Sequence, residues 1–407
     1  MKKALFLLCL FLALPLWGQN LEGQLAALGL EDLRVGESPR QELVAAFSNK
    51  VYREPARALL EALKCLLPQT VQPGGLRLIY LEERVPQVAL SLDAAEWRAY
   101  QKGRLSLPEL VNALHISYDT GDYDELAASH AAAKRSPGRI DLVLYPRLWL
   151  DNAWFNKLYG VAFDLAPALE MGLWKGASLT AQVILPLLNN VNGERDYIRP
   201  GFLLFRQAWR FPKNFFATFS IGNFNADRFG ADFELRYRAS SGLWSASLEA
   251  GQTGSSTIEN GHWRLSQWQH TTGAASFTWR PAFYGLRFDF TAQRYLHGDY
   301  GFRFDLSRHF GETVIGFYAL RTGGLYNGGF RFAVPLPRRK RAQRRAFRLR
   351  LPEYFDWEYS AQSGNEYVAR QLGEYYETRP DESPARADYN PAYLKHAMLD
   401  LAEGAPE

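Results

Sequence analysis

The chain has 407 residues, room for more than one folded unit. Aromatic residues make up 14% of it, and 47 basic against 43 acidic residues leave a net charge of +4, a balance that points neither to nucleic acid nor to a strongly charged surface. Beyond the N-terminus no apolar run reaches the roughly eighteen residues of a membrane-spanning helix, which excludes a helical membrane bundle.

Residues 1–18 read as a secretory signal peptide. Lys2 and Lys3 form its positive end, Ala4 to Trp17 its short apolar stretch, and Gly18 a small residue suited to cleavage. Cys9 lies inside the apolar stretch, which argues against a lipidated cysteine. After cleavage Cys65 is the sole cysteine, so no internal disulfide forms, and a buried apolar thiol is expected.

Residues 19–118 read as a small α+β domain, periplasmic if the chain is exported. Pro55 opens a helix over residues 54–67 whose Ala56, Leu59, Leu60, Leu63 and Leu67 fall on one stripe. Strands follow at 75–81 and 85–92. Asp93 with Glu96 three residues on has the pattern of a capping box, and Pro108 starts a last helix over residues 107–115. Residues 119–138 are polar, rich in alanine and end in Ser-Pro-Gly, the composition of a linker.

From Ile140 the periodicity becomes two. Phe229, Ala231, Phe233, Leu235 and Tyr237 alternate with Gly230, Asp232, Glu234, Arg236 and Arg238. The segments near 244–251, 284–296, 302–307 and 330–334 repeat the pattern. Runs of roughly 9–13 residues match tilted membrane-crossing strands, longer than the usual soluble strand. Their links are short, and aromatics such as Trp174, Trp209, Trp244 and Trp279 gather towards strand ends, as an interfacial girdle does. The fold expected is mainly β: an antiparallel transmembrane β-barrel of about twelve strands over residues 139–336, in the Gram-negative outer membrane, after the small α+β periplasmic domain. Pro167 and Pro186 fall within two early strands and predict bulges there. The charged set Asp232, Glu234, Arg236, Arg238, Arg287, Asp289, Arg303, Asp305 and Arg331 then lines the lumen. It forms either a network of ion pairs filling a narrow barrel or a wet path touching a polar solute.

Residues 48–68 (SNKVYREPARALLEALKCLLP) and 75–93 (GLRLIYLEERVPQVALSLD) resemble the periplasmic module of the YjbH-like exopolysaccharide biosynthesis proteins. Residues 290–320, the stretch RYL-x-GDYG (Arg294–Gly301) and YNGGFRFAVPL resemble the last barrel strands of that family. The resemblance implies a non-enzymatic outer-membrane component of exopolysaccharide or capsule secretion, with no catalytic residues, metal or cofactor to carry over. The partners it implies are outer-membrane lipid, an anionic polysaccharide and other polysaccharide-export proteins. Longer members carry a second module and barrel, and enterobacterial members are lipoproteins; this chain departs from both.

Residues 337–407 read as a basic segment followed by a polar tail, with a short helix near 367–376. Arg338, Arg339, Lys340, Arg341, Arg344, Arg345, Arg348 and Arg350 put eight cations within thirteen residues. They suit a solvated loop or a contact for an anionic polymer. Two other classes stay open. A barrel hydrolase or acyltransferase needs a nucleophile and base, and Ser266 and Ser307 lie near His262, His270, His297 and His309 without a known spacing. A diffusion porin needs long outer loops, and only residues 189–199 and 254–267 look long.

Overall fold

The computed structural model describes residues 21–132, 138–151, 160–191, 196–259, 261–281, 285–337, 340, 347–362, 364–386 and 389–404. The expected signal peptide lies outside them, as do Arg338, Arg339, Arg341, Arg344 and Arg345 of the basic segment. The described chain forms two compact units. One takes residues 21–132, Lys340 and 389–404; the other takes the sequence between, up to residue 386.

The first unit is α+β. Helix α1 (residues 21–28) precedes β1 (Glu31–Glu37) and β2 (Glu42–Ser48). Helix α2 (Pro55–Leu66) crosses over to β3 (Gly75–Glu82), which runs parallel to β2, as a crossover of this length requires. β4 (Val85–Leu92), α3 (Ala94–Gln101), α4 (Leu107–Ala113), β5 (His115–Ser117) and α5 (Asp122–Ser129) follow, and the sheet order is β1-β2-β3-β4-β5. The predicted stripe of α2 is its buried face: Leu59, Leu60 and Leu63 join Leu25, Phe47, Trp97 and Leu110 in one core. Each fully buried leucine contributes about 1.5–3 kcal/mol. The buried Trp97 indole donates to the Leu67 carbonyl at 2.9 Å, which satisfies its one polar atom. Cys65 is half-buried at the edge of this core.

Four readings change here. Asp93 makes no side-chain cap, and the capping box forms one helix later, between Ser106 and Glu109. The last helix stops at Ala113 because His115 enters β5 and pairs with Ser91. The supposed linker holds α5, whose Tyr123 and Leu126 pack on the second face of the sheet against Val44, Ile79 and Leu81. The supposed polar tail ends in a helix, Pro391–Glu403, capped by the Asn390 side chain, and its Leu394 and Met398 complete the first unit's core.

The second unit is a large antiparallel meander. Its strands are β6 (Ile140–Asp151), β7 (Gly160–Gly172), β8 (Ala177–Asn189), β9 (Arg199–Phe211), β10 (Phe215–Phe224), β11 (Arg228–Arg238) and β12 (Trp244–Glu259). β13 (His262–Leu265) folds back on β12 as a hairpin, so residues 254–267 are strand rather than a long loop. β14 (His270–Trp279), β15 (Leu286–Arg294), β16 (Tyr300–Phe310), β17 (Thr313–Thr322) and β18 (Leu325–Pro335) continue it. Setting β13 aside, β6 to β18 give twelve consecutive strands among the described residues. The bulges expected from proline are present: the β7–β8 ladder passes over Ala166 and Pro167 and steps its register beside Pro186. Tight links demand left-handed backbone, which Lys213 and Asn214 adopt after β9 and Ala226 and Asp227 after β10.

The sheet runs past residue 336. β19 (Phe347–Arg350) pairs with β6 in parallel, and β20 (Tyr354–Ser360) pairs with β18 antiparallel. A single stretch of chain thus joins the first and last strands of the meander. The closed ring that the periodicity predicts is not completed: the strand order ends at β19 and β20, β19 covers β6 only over Ile140–Val143, and among the described residues no ladder links β20 to β19 or β6. Proline has no N–H to donate, and Pro146 within β6 and Pro352 after β19 both lie at this seam.

Candidate functional site

Alternation gives the large sheet two unlike faces. One carries Phe233, Leu248, Phe290, Phe302, Phe317 and Phe330, all exposed; Phe302 is 72% exposed and Phe317 63%. Near one end of the strands this face bears linked rings: Phe215 with Tyr237, Tyr237 with Trp244, Trp244 with Phe277, and Trp279 with Phe288. The other face carries all nine predicted charged positions, and its Asp232 and Asp305 are buried.

These charges satisfy one another locally. Residues two apart on a strand share a face, so Glu-x-Arg and Arg-x-Asp are contact pairs. Arg236 meets Glu234 at 2.6 Å, Arg287 meets Asp289 at 2.7 Å, and Arg303 meets Asp305 at 2.8 Å. Asp289 also accepts from Thr278 at 2.6 Å. Arg331 approaches Asp305 at 3.6 Å, and Arg303 reaches Glu358 of β20 at 2.6 Å, which ties β16 to the far edge strand. Arg303 also lies over the Tyr318 ring at 4.0 Å, and Arg238 over Phe216 at 4.1 Å. A desolvated charge is tolerated when paired and hydrogen-bonded; Glu234, Asp289 and Asp305 meet that condition through their arginines, while Asp232 is held by a hydroxyl instead.

Above the charges lie residues 361–386, read from the sequence as polar tail with a helix near 367–376; the helix found starts two residues earlier and ends at Ala369. The segment holds this one short helix, α6 (Asn365–Ala369), and then crosses the polar face as irregular chain. Tyr367 and Leu372 pack on Tyr295, Tyr318 and Leu320. The Gly373 N–H donates to Asp299 at 3.0 Å, and the Leu296 N–H to the Glu374 carbonyl at 3.0 Å. Tyr376 stacks on Phe224 and donates to Asp232 at 2.9 Å, with Thr272 Oγ1 at 3.0 Å from its hydroxyl. The Glu377 N–H donates to Asn225 at 2.6 Å, and Ala385 joins Val314 and Ala333 near the opposite strand ends. Gly251, opposite Asp232 in the ladder, makes room for this crossing: a Cβ there would stand 1.8 Å from the Tyr376 hydroxyl.

Where the segment passes the seam it leaves a polar cavity of about 200 Å³, lined by Arg147, Gln182, Asp356, Glu377, Asp381 and Arg386. Arg386 pairs with Asp381. Desolvation, with the charge of Glu382 close by, pushes the Glu377 carboxyl from its ordinary 4.5 up to about 8.

The basic segment is divided by the structure. Arg348 is paired with Asp141, and Arg350 meets Glu170 at 2.7 Å, so both join β19 to the start of the meander. Lys340 belongs to the first unit, where it bridges to Tyr52 and lies 5.5 Å over that ring. Of the histidines, His270 holds the Leu296 carbonyl at 3.0 Å and His297 meets Glu374 at 3.1 Å. Ser266 accepts from the Ser255 N–H and donates to the Gln267 carbonyl, both backbone partners. Among the described residues no group of three or more His, Cys, Asp or Glu is placed to hold a metal. Sequence reasoning missed Tyr376, Thr272 and Glu358. The density of tyrosines after residue 353 was a signal for Tyr376 alone.

An antiparallel meander with its ion pairs under a covering segment and its aromatics exposed defines a class of sheet with reversed polarity. The family model described as Exopolysaccharide biosynthesis protein YbjH matches residues 200–336, from β9 to β18, and so contains all nine charged positions. That is the family the sequence motifs resembled, and it implies a role in exopolysaccharide biosynthesis. No curated protein and no solved structure matches the chain.

Proposed function

We propose that this protein is a non-enzymatic outer-membrane component of exopolysaccharide secretion or assembly, its large sheet embedded in lipid as a barrel and its first unit in the periplasm. The observation that carries this reading is the reversed polarity of the sheet. Soluble monomers rarely expose contiguous apolar patches beyond a few hundred Å², whereas hydrocarbon welcomes Leu248, Phe302 and Phe317. In lipid an unpaired strand edge costs several kcal/mol per backbone group. The β6 and β20 edges therefore zip together or stay covered once the sheet is inserted. The covering segment counts against a permanently open diffusion porin. The ion pairing of the polar face counts against a set of poised catalytic groups.

An anionic polymer arriving from the periplasm is the partner we assign to the basic segment, Arg338 to Arg345, which follows β18 at the end where β6 begins. The test of the localisation is fractionation. The full chain should travel with the outer membrane and migrate faster in detergent gels before heating than after. Recovery from the soluble periplasm sinks the reading. For the polymer contact, neutralising Arg338, Arg339 and Arg341 should lower secreted polysaccharide per cell at constant amounts of the heat-modifiable form. Unchanged output removes the polymer contact and leaves a solvated loop.

A further inference from the structure

The exposed face of the large sheet is not uniform. Across β12 to β17 the outward side chains change from large to small, and a groove of about 840 Å³ opens there. Its floor includes Ala275, Ala292 and Ala319, and its walls include Phe277, Phe290 and Phe304. The register sets two rows across the groove: Ala275, Ala292, Phe302 and Arg321 in one, and Phe277, Phe290, Phe304 and Ala319 in the next, so the small floor positions lie on either side of the β16 phenylalanines.

The same face carries two arginines here: Arg321 lines the groove, level with Ala292, and Arg294 stands one outward position past its edge. Arg294 lies two residues beyond Ala292, and Arg321 two residues beyond Ala319, so both point outward with the floor alanines. They stand on β15 and β17, two strand spacings across and two residues along, roughly 12 Å apart, because Arg294 is level with Tyr300 and Arg321 with Phe302. Each guanidinium lies over an exposed tyrosine, Arg294 over Tyr300 at 5.8 Å and Arg321 over Tyr326 at 5.5 Å. On the opposite face Arg236, Arg287 and Arg303 are ion-paired along their strands; among the described residues, neither of these two arginines meets a carboxylate. The Arg294 Nε is buried without a hydrogen-bond partner. Two cations free of acidic partners at the edge of an apolar groove are complementary to one chemistry: an anionic head on a hydrocarbon chain. Guanidinium groups hold phosphate oxygens in pairs, and tyrosines are the residues of the headgroup level.

We propose that this groove is a binding site for a phosphate-bearing membrane lipid, its acyl chain against Ala275, Ala292 and Ala319 and its phosphate between Arg294 and Arg321. The inference rests on the membrane reading above, and its test keeps the two apart. The full chain, purified from membranes in an uncharged detergent, is titrated with phosphatidylglycerol and followed by native mass spectrometry. Diacylglycerol of the same chains and glycerol 3-phosphate serve as controls. Phosphatidylglycerol should be retained, and both controls should be lost. The double variant Arg294→Gln/Arg321→Gln and the groove-filling Ala292→Trp should each weaken retention by about tenfold or more. The heat-modifiable band reports that both variants fold. Equal retention by the wild type and both variants overturns the site, as does glycerol 3-phosphate binding as well as the lipid. A protein found in the membrane that retains no lipid overturns the site alone. A protein absent from the membrane overturns the membrane reading with it.

Discussion

In the first unit Leu60 and Leu63 are buried on a helix whose charged residues face outward, and in the second unit the order is reversed: Phe302 stands exposed on a strand whose neighbour Arg303 is tucked under a covering segment. Both units obey the same local rule, that one side of each element is apolar. They differ in which side is turned inward. Periodicity identifies the two faces of an element and says nothing of the solvent each one meets. That comes from what packs on each face: helices on the small sheet, an irregular polar strap on the charged side of the large one.

Substitutions that act in opposite directions on the two units test this contrast. The largest effect expected is in the first unit, where Leu63→Ala should cost about 2–5 kcal/mol. A urea unfolding curve of the full chain, followed by Trp97 fluorescence, measures it; a loss well below that range would mean α2 is not a core helix. Next comes Phe290→Arg on the exposed face of the second unit. In lipid vesicles it should cost about 2–4 kcal/mol near the middle of the bilayer, against little for Thr291→Arg on the polar side. Equal costs at the two neighbours would reverse the assignment of faces. Tyr376→Phe should cost about 1–3 kcal/mol, since it leaves the Asp232 carboxylate without its hydroxyl donor. The readout is release of the covering segment to protease. Gly251→Val, which closes the space beside that hydroxyl, should give the same release, and an intact segment in both would show that it is held elsewhere.

A smaller effect depends on pH. Glu377 holds its proton up to about 8 in the folded chain and to 4.5 when exposed. Between those values the folded state binds more protons than the unfolded one, so the hold on the segment falls as pH rises through that window. Protease sensitivity of residues 361–386 should increase from about pH 5 to about pH 9, and Glu377→Gln should flatten the trend. A wild-type profile as flat as the variant's would remove Glu377 from the account. The smallest effect completes the comparison. Leu248→Ala on the exposed face should cost far less in lipid than Leu63→Ala, because lipid tails are as apolar as leucine and removing a contact with them gains or loses little.

The strands of the large sheet could be read from the sequence because each is long enough for alternation to repeat four or five times. The same spacing put the charged residues on one face before any geometry, while their i,i+2 pairing came from the structure. β1 and β2 were not legible. Glu31–Glu37 mixes buried Glu31 and Asp32 with Leu33 and Val35, and Glu42–Ser48 is buried on both faces, so neither alternates. The covering segment has no period at all, since irregular chain takes its order from what it crosses. Its position became evident only from partners that are about 75 to 150 residues away in sequence, such as Asp299, Asn225 and Asp232. The Pro391–Glu403 helix did leave a trace: Asn390-Pro391 is an N-terminal cap and Gly404 a left-handed C-terminal stop, with Leu394 and Met398 one turn apart. The polar composition around it concealed that trace.

That last helix has a consequence for how the chain is made. Leu394 and Met398 are wholly buried in a core whose other members lie before residue 117, apart from Tyr389. Chains are synthesised from the N-terminus, so the small domain appears first and receives this helix only after every described strand of the large sheet has been made. Contacts so distant in sequence form slowly, and until they form an apolar slot stays open on the early domain, the kind of surface that chaperones and proteases recognise. A fragment of residues 20–118 carries the same open slot permanently. The small domain's stability is therefore tied to a helix that lies beyond the large sheet in the sequence, and loss of Pro391–Glu403 should weaken it although its own strands are intact.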